Sequence, residues 1–373
     1  MKNSVMRKET GNTKYNSIGS ENVKPTLGNV AEKAGVKISS ASEILNKRKN
    51  SWASEETKKR VFDAARELGY RPNSTARSLR IGKTGTIGAI ITAHHFSGKI
   101  AGLEQAAYAD KYAVITAFNP NEPQTEDDLI LMHLDRGVEG LIIYPSDKAP
   151  HNELKKLILQ GFPIVTFDGA GRLDFDCDDV SANYEEVGQI QARHALEINR
   201  KSVCIIRTEP SAIVNNIRES GICVELDANG VTPLMLTLKY NTTKEIQDPE
   251  IIYEQIDDFI KKHKGEFDSV IAVDFIAAIT ARSLFNRGIS IPDDVAVIGG
   301  GNSILSSHCM LPLTSVDTSD EWIGMKSFQL IAERINKRVP AGTYRRLFSE
   351  TKLTVRQSTV KNTKLEIYPK PTR

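Results

Sequence analysis

The chain has 373 residues, enough for two or three globular units at roughly 100 to 200 residues each. Its 40% apolar and 26% charged content is ordinary globular usage, and no stretch approaches the roughly 20 uninterrupted apolar residues of a membrane-spanning helix, so collagen-like, disulfide-scaffold and membrane-spanning classes are excluded. The formal charge of +2 divides unevenly: residues 1–83 hold 18 Lys/Arg against 8 Asp/Glu, a net of +10, while the remainder holds 31 against 39, a net of −8.

A basic block of that size is the footprint of a polyanion partner, because each cation set against a phosphate releases condensed counterions. A disordered basic tail is the alternative reading. Cys177, Cys204, Cys223 and Cys309 are scattered with no C-x-x-C pair, which fits neither a zinc site nor a secreted disulfide framework and points inside the cell. Residues 1–24 are rich in Asn, Ser, Lys, Thr and Gly, lack the apolar core of a signal peptide, and read as a disordered, non-targeting tail.

From Thr26 three short helices are predicted. In the first, Thr26 is the N-cap, Leu27, Val30, Ala31 and Ala34 form one apolar stripe, and Gly35 is the stop. The second runs from Ile38 to Asn46, with Ala41, Ile44 and Leu45 inward and Ser39, Ser40, Ser42 and Glu43 outward. The third starts at Ser54, carries Glu55 and Glu56 in its first turn, buries Val61, Ala64, Ala65 and Leu68, and stops at Gly69. A helix, a glycine turn and a short helix with a polar outer face is the helix-turn-helix pattern.

Beyond Thr84, apolar strands begin near Ile87, Ala113, Gly140 and Ile164, spaced by 26, 27 and 24 residues, the period of consecutive βα units. Ile100, Leu103 and Ala107, then Leu129, Met132 and His133, mark intervening helices. A second series has strands near Val203, Leu234, Val270 and Val295, with helices over 187–198, 252–260 and 276–284. Two successive parallel units predict a bilobal α/β body of Rossmann-like lobes, with a ligand crevice at the strand C-termini. A dinucleotide fold needs G-x-G-x-x-G after its first strand; this chain has Ala93-His94-His95-Phe96-Ser97 there. Gly299-Gly300-Gly301 lacks the Lys-Ser/Thr of a phosphate-binding loop and reads as an interlobe crossover turn, with a nucleotide-dependent transferase as the trailing alternative. His194 lies on an apolar stripe and reads as a structural histidine. No catalytic residues, metal site or cofactor are expected.

The strings TLGNVAEKAGVKISSASEILN and SEETKKRVFDAARELGYRPNSTARSLRIGKTGTIGAII resemble the head and hinge of the lactose/galactose-repressor (LacI-type) family of bacterial transcription factors, and the likeness continues more weakly to about Thr359. The resemblance implies a helix-turn-helix domain over 25–71, a hinge helix and linker over 72–83, and a periplasmic-binding-protein-like body over 84–360, followed by a tail over 361–373. The first lobe would be about 84–170 with 300–328, the second about 171–299 with 329–360, and the chain would cross between them three times. It further implies a homodimer on double-stranded operator DNA, no membrane partner, and a small effector, sugar-like, between the lobes. The alternative is a solute-binding protein without specific DNA recognition.

On this resemblance, bases are read from Ile38 and Ser39, while Ser40 and Ser42 sit near the DNA backbone. Glu43 stands where the family usually has an arginine; it repels phosphate or accepts a hydrogen bond from a cytosine amino group. Thr26, Asn46 and Asn73 complete the expected contacts, with Ala76 and Leu79 on the hinge. Leu79 matches the leucine that wedges into the minor groove, where unstacking a base step bends the duplex; packing of the linker on the body is its alternative. In the cleft, Arg218 of R-E-S-G matches the arginine that holds a sugar hydroxyl or an effector carboxylate, and Asp274 matches the acceptor for ligand hydroxyls, its asparagine partner being replaced by Val273. For both charged residues an ordinary salt bridge is the alternative. Phe275 and Phe96 are candidate stacking groups, His95 lines the crevice or is solvated, and Asp168 keeps the family's strand-end aspartate beside Gly169, where an arginine is common. Gly301-Asn302 replaces a frequent aspartate pair.

Overall fold

A computed structural model describes residues 24–46, 53–71, 82–92, 97–120, 122–148, 150–169, 173–209, 211–239, 249–340 and 342–360. The chain separates into two units, residues 1–82 and 83–373. The first holds three helices, α1 (Leu27–Ala34), α2 (Ile38–Leu45) and α3 (Glu55–Glu67). Thr26 caps α1 reciprocally: its hydroxyl accepts from Asn29 N–H at 3.3 Å while Asn29 Oδ1 accepts from Thr26 N–H at 2.9 Å. Gly35 ends α1 at φ 65°, a left-handed conformation that costs glycine little. Ser54 caps α3 by accepting from Thr57 N–H at 3.3 Å. Val30, Ala31, Ala34, Ala41, Ile44, Val61, Ala64 and Ala65 close one small core. The stripes expected from spacing alone are the ones that pack.

The second unit is built twice on one plan. In the first lobe β1 (Thr86–Ile91), β2 (Ala113–Phe118), β3 (Leu141–Ile143), β4 (Ile164–Phe167) and β5 (Asp178–Ala182) form a parallel sheet, in the order β2-β1-β3-β4-β5. The helices between these strands are α4 (Ser97–Ala109), α5 (Pro123–Asp135) and α6 (Asn152–Leu159). In the second lobe β6 (Val203–Glu209), β7 (Leu234–Lys239), β8 (Ser269–Ile271), β9 (Ala296–Gly301) and β10 (Thr314–Asp317) repeat that order as β7-β6-β8-β9-β10. Helices α7 (Tyr184–Glu197), α8 (Ile213–Ala228), α9 (Pro249–Lys262), α10 (Asp274–Asn286) and α11 (Ile304–His308) belong to this half of the chain. The last helix, α12 (Asp320–Ile335), returns to the first lobe, where Ile323, Phe328, Leu330 and Ile331 join its core. Two edge strands finish the sheets: β11 (Arg346–Ser349) runs parallel to β5, and β12 (Lys352–Thr354) runs antiparallel to β10.

The three crossings therefore follow β5, β10 and β11, and the expected lobe limits need correction. Residues 178–182 pair with β4 and belong to the first lobe, while residues 314–317 pair with β9 and belong to the second. Helix α12 and β11, out to Ser349, belong to the first lobe. The physical reason lies in Asp178, which is fully buried yet satisfied: it accepts from Arg334 Nε at 2.7 Å, Arg345 N–H at 2.7 Å and Arg345 Nη2 at 3.2 Å, tying α12 and the start of β11 to β5. The glycine run is likewise not a crossover turn. Gly299, Gly300 and Gly301 lie in β9, in register with Ser315, Val316 and Asp317 of β10.

Burial alone would raise the Asp178 carboxyl, but hydrogen bonds from Arg334 and Arg345 override it and hold it below the usual carboxylate range. A carboxyl whose pKa is depressed by folding stabilises the native state above its unfolded pKa of about 3.9 and loses that contribution as pH falls through the folded value. Urea midpoints measured from pH 6 down to pH 2.5 are therefore expected to fall more steeply below about pH 4 in the wild type than in Asp178→Asn. Parallel acid limbs would refute the assignment.

Each lobe closes with a tight helix pair. A Cβ on Gly324 of α12 would overlap the Lys99 carbonyl oxygen of α4, and one on Gly102 of α4 would overlap the Glu321 carbonyl. In the second lobe a Cβ on Gly188 of α7 would overlap the Arg218 carbonyl oxygen of α8, and one on Gly221 of α8 the Glu185 carbonyl. The two contacts are equivalent. Lys99 stands three residues before Gly102, as Arg218 stands three before Gly221. Among the described residues no helix is long and apolar enough to cross a membrane.

Candidate DNA interface and effector cleft

Helix α2 exposes part of the face expected to point outward. Ile38, the first helical residue, is 58% exposed, and Ser39 and Glu43 are exposed one turn apart, whereas Ser40, Ser42 and Asn46 are half-buried. Asn46 closes the helix by donating to the Ser42 carbonyl at 2.6 Å and to the Ser42 hydroxyl at 3.3 Å, which fixes both side chains. Thr26 is exposed but its hydroxyl is committed to the α1 cap. Asn73, Ala76 and Leu79 lie outside the described residues, as do His95 and Phe96.

The two equivalent cations, Lys99 and Arg218, differ in their surroundings. Lys99 is only 4% exposed and donates to Asp168, with Asp320 Oδ1 at 3.7 Å and the Tyr184 hydroxyl at 3.5 Å. Burial works against its charge, and the carboxylates of Asp168 and Asp320 outweigh burial and hold its pKa above the ordinary lysine value. Asp168, at the C-terminal end of β4, also accepts from Tyr184 Oη at 3.0 Å and from Ala182 N–H at 3.3 Å. The strand-end aspartate is thus already neutralised. Burial, and then the Asp168 carboxylate, push the Tyr184 hydroxyl well above the usual tyrosine range, so it stays a donor.

Arg218 is 8% exposed and has no hydrogen-bond or ion-pair partner among the described residues; its Nε is buried and unsatisfied. Burial pushes its pKa down to about 10. It lines a crevice at the C-terminal ends of β6 and β8 with Thr208, Asn215, Val273 and Ile276. The salt-bridge alternative fails for it. Glu219, its chain neighbour, is paired with Arg207 at 2.9 Å. Asp274 is buried at the first turn of α10, with Oδ1 accepting from Ser315 Oγ at 2.6 Å and Oδ2 from Ser303 N–H at 2.6 Å. Those bonds explain the glycines of β9, since a Cβ on Gly299 would run into Asp274 and one on Gly300 into the Gln191 amide. Asp274 thus holds the β9–α11 turn. Phe275 is half-buried against the second-lobe core.

At one edge the lobes meet directly. Asp147, in the loop after β3, accepts from Ile213 N–H at 3.1 Å and so caps the first turn of α8, whose own N-cap residue, Ala212, has no side-chain acceptor. That loop is fixed from beneath by Glu126, which accepts from Ser146 N–H at 2.6 Å and contacts His151 Nδ1 at 2.7 Å. His194 is structural, with Nε2 3.0 Å from Thr359 Oγ1.

Residues 26–73 match the family described as bacterial regulatory proteins, lacI family, and residues 194–359 match a periplasmic binding protein-like domain. The chain is 28% identical over 314 residues to the HTH-type transcriptional repressor PurR of Actinobacillus pleuropneumoniae serotype 3 (strain JL03), covering 83% of this chain and 91% of that protein. The chain thus joins a lacI-type helix-turn-helix domain to a periplasmic-binding-protein-like domain. A PurR repressor of Edwardsiella ictaluri (strain 93-146) is 27% identical over 324 residues, covering 85% of this chain and 93% of that one. Among solved structures, a Lac repressor dimer bound to operator and the anti-inducer ONPF shares the fold at TM-score 0.75 and 18% identity, covering 90% of this chain and 99% of that chain. A lacI-family regulator from Silicibacter pomeroyi does so at 0.72 and 23%, covering 90% and 100%. The matched head is that of bacterial regulatory proteins, and the relatives matched over nine-tenths of their length are named transcriptional repressors.

The residues around the two buried cations that sequence reasoning overlooked are Lys99 itself, Tyr184, Asp320, Thr208 and Asn215. One signal was present in the sequence. Aligning the halves on their paired glycines sets Lys99-x-x-Gly102 over Arg218-x-x-Gly221, and Tyr184, four residues before Gly188, over Asp320, four before Gly324.

Proposed function

We propose that the protein is a cytoplasmic repressor that binds a twofold-symmetric operator as a homodimer, its affinity set by a small effector enclosed between the lobes. The observation that carries this reading is the union, in one chain, of an outward-reading helix α2 with a body crevice holding a buried, unpartnered guanidinium. Relatives named as repressors, and a neighbour solved on operator with an anti-inducer, support it. The hinge residues Ala76 and Leu79 are assigned to the minor groove, where Leu79 supplies the wedge. In the cleft Arg218 grips the effector, Thr208, Asn215 and Phe275 line its seat, and Asp274 offers a remaining lone pair while holding the adjacent turn. Asp168, neutralised by Lys99, joins the first lobe's wall to the site.

Selection of bound duplexes from a random pool at fixed salt tests this reading: a twofold-symmetric motif is expected, and no enrichment refutes it. Within that motif Ile38 is assigned to apolar contact with a thymine methyl and Glu43 to a cytosine amino group. Glu43→Arg is expected to replace cytosine by guanine at one position of each half-site and to steepen the salt dependence by about one charge per head. An unchanged motif after the substitution removes Glu43 from base reading.

A further inference from the structure

From the charge balance of the cleft we infer that the effector is a small organic monoanion bearing a carboxylate, rather than a neutral sugar or a phosphate ester. The inference rests on the proposed cleft function and names the chemical class of its ligand. The fold shows how it neutralises a buried cation from within: Lys99 has Asp168 and Asp320 around it. Arg218, at the equivalent place in the other lobe, has neither. The nearby carboxylates are occupied, Glu219 by Arg207 and Asp274 by Ser303 and Ser315. Leaving a charge buried without a partner costs several kcal/mol, which a neutral hydroxyl offsets only in part.

Two further features point to the same sign and magnitude of ligand charge. Val273, Thr208 and Asn215 add apolar surface and neutral polar groups, and the lining carboxylate, Glu219, is already held by Arg207 at 2.9 Å. Lys99 is already saturated and Arg207 is paired with Glu219, so among the described residues lining the crevice Arg218 is the cation left to be matched, which suits a carboxylate's single charge and its two-oxygen fit to a guanidinium fork. A phosphate monoester brings nearly two charges to that single site.

The test uses the full chain and probes differing only in the acidic group: D-glucuronate, D-glucose and D-glucose 6-phosphate, the matching galactose set, and 2-hydroxy acids beside their amides. Thermal midpoints and calorimetric titrations are read for each. At least one carboxylate is expected to raise the midpoint and bind ~10-fold or more tightly than its neutral and phosphorylated counterparts. Arg218→Gln abolishes that preference. Asn215→Asp, one helical turn away, supplies an internal counterion: it raises the midpoint without ligand and removes the carboxylate response. The inference is overturned if neutral or phosphorylated members bind as tightly as the acids, if no acid binds, or if Asn215→Asp retains the carboxylate response. Operator binding by the same preparation separates the two ideas. A protein that binds operator and responds to a neutral sugar contradicts the monoanion alone, whereas one that binds no operator contradicts the regulator.

Discussion

Asp168→Ala is expected to destabilise the body by about 3 kcal/mol, because it removes the carboxylate that Lys99 donates to and leaves Asp320, at 3.7 Å, as the remaining ion pair among the described residues. For a unit of this size that corresponds to a fall in thermal midpoint of roughly 6 °C or more. The loss is one of charge balance rather than volume. Asp168→Asn keeps the shape and the acceptor for Tyr184 Oη, yet still removes the charge that opposes Lys99. It should therefore lie closer to the alanine variant than to the wild type. The double variant Lys99→Met/Asp168→Leu should lose less than the two single losses added together, since burying neither charge avoids the cost of stranding one. Strictly additive losses from calorimetry would mean that the pair does not act as a unit.

Gly324→Ala and Gly188→Ala carry the second large effect, about 3 kcal/mol or more each. In both, the added methyl meets the backbone carbonyl of the facing helix, Lys99 in one lobe and Arg218 in the other, and neither carbonyl belongs to a side chain that can swing away. The helices must separate, which loosens the core around Ile323 and Ile331 in the first lobe and around Ile222 and Ala192 in the second. Gly188→Ala carries a functional consequence as well, since it displaces the segment that positions Arg218. The control is Gly28→Ala in α1, where a Cβ meets only the Thr26 hydroxyl at 3.4 Å and the helical backbone gains from losing glycine. Gly28→Ala should be neutral or stabilising by up to ~1 kcal/mol. Urea denaturation of the four proteins decides it, and equal small shifts in all three variants would deny the close helix contacts.

Thr26, Gly35, Ser54 and Gly69 marked the helix ends of the head correctly because capping and left-handed turns are local chemistry, written within four residues. The strands beginning near Ile87, Ala113, Ile164 and Val203 were legible for a similar reason, as apolar runs in a regular period. β5 was not legible, because its first residues are Asp178 and Asp179, which read as loop. Both are buried, with partners that are distant in sequence or visible only in three dimensions: Arg334 and Arg345 for Asp178, and Thr166, Ser181 and Gly169 N–H for Asp179. The misplaced lobe limits follow from that one strand and from α12, whose return depends on the same ion pairs. The glycine run failed as a crossover because its reason for lacking side chains is Asp274 and Gln191 from neighbouring helices, not a turn. Arg218 was legible as a cleft residue. That it lacks a counterion, while its equivalent Lys99 has two, is a property of three-dimensional neighbours and emerges only when the lobes are compared.

The most direct test of the account is the operator affinity of the full protein, measured by fluorescence anisotropy at fixed salt with the cleft empty and then saturated. Saturation is expected to change the operator Kd by about 5- to 150-fold, and operator DNA must change the effector Kd by the same factor. An operator Kd that stays the same while calorimetry shows a full cleft would contradict the coupling of head and body.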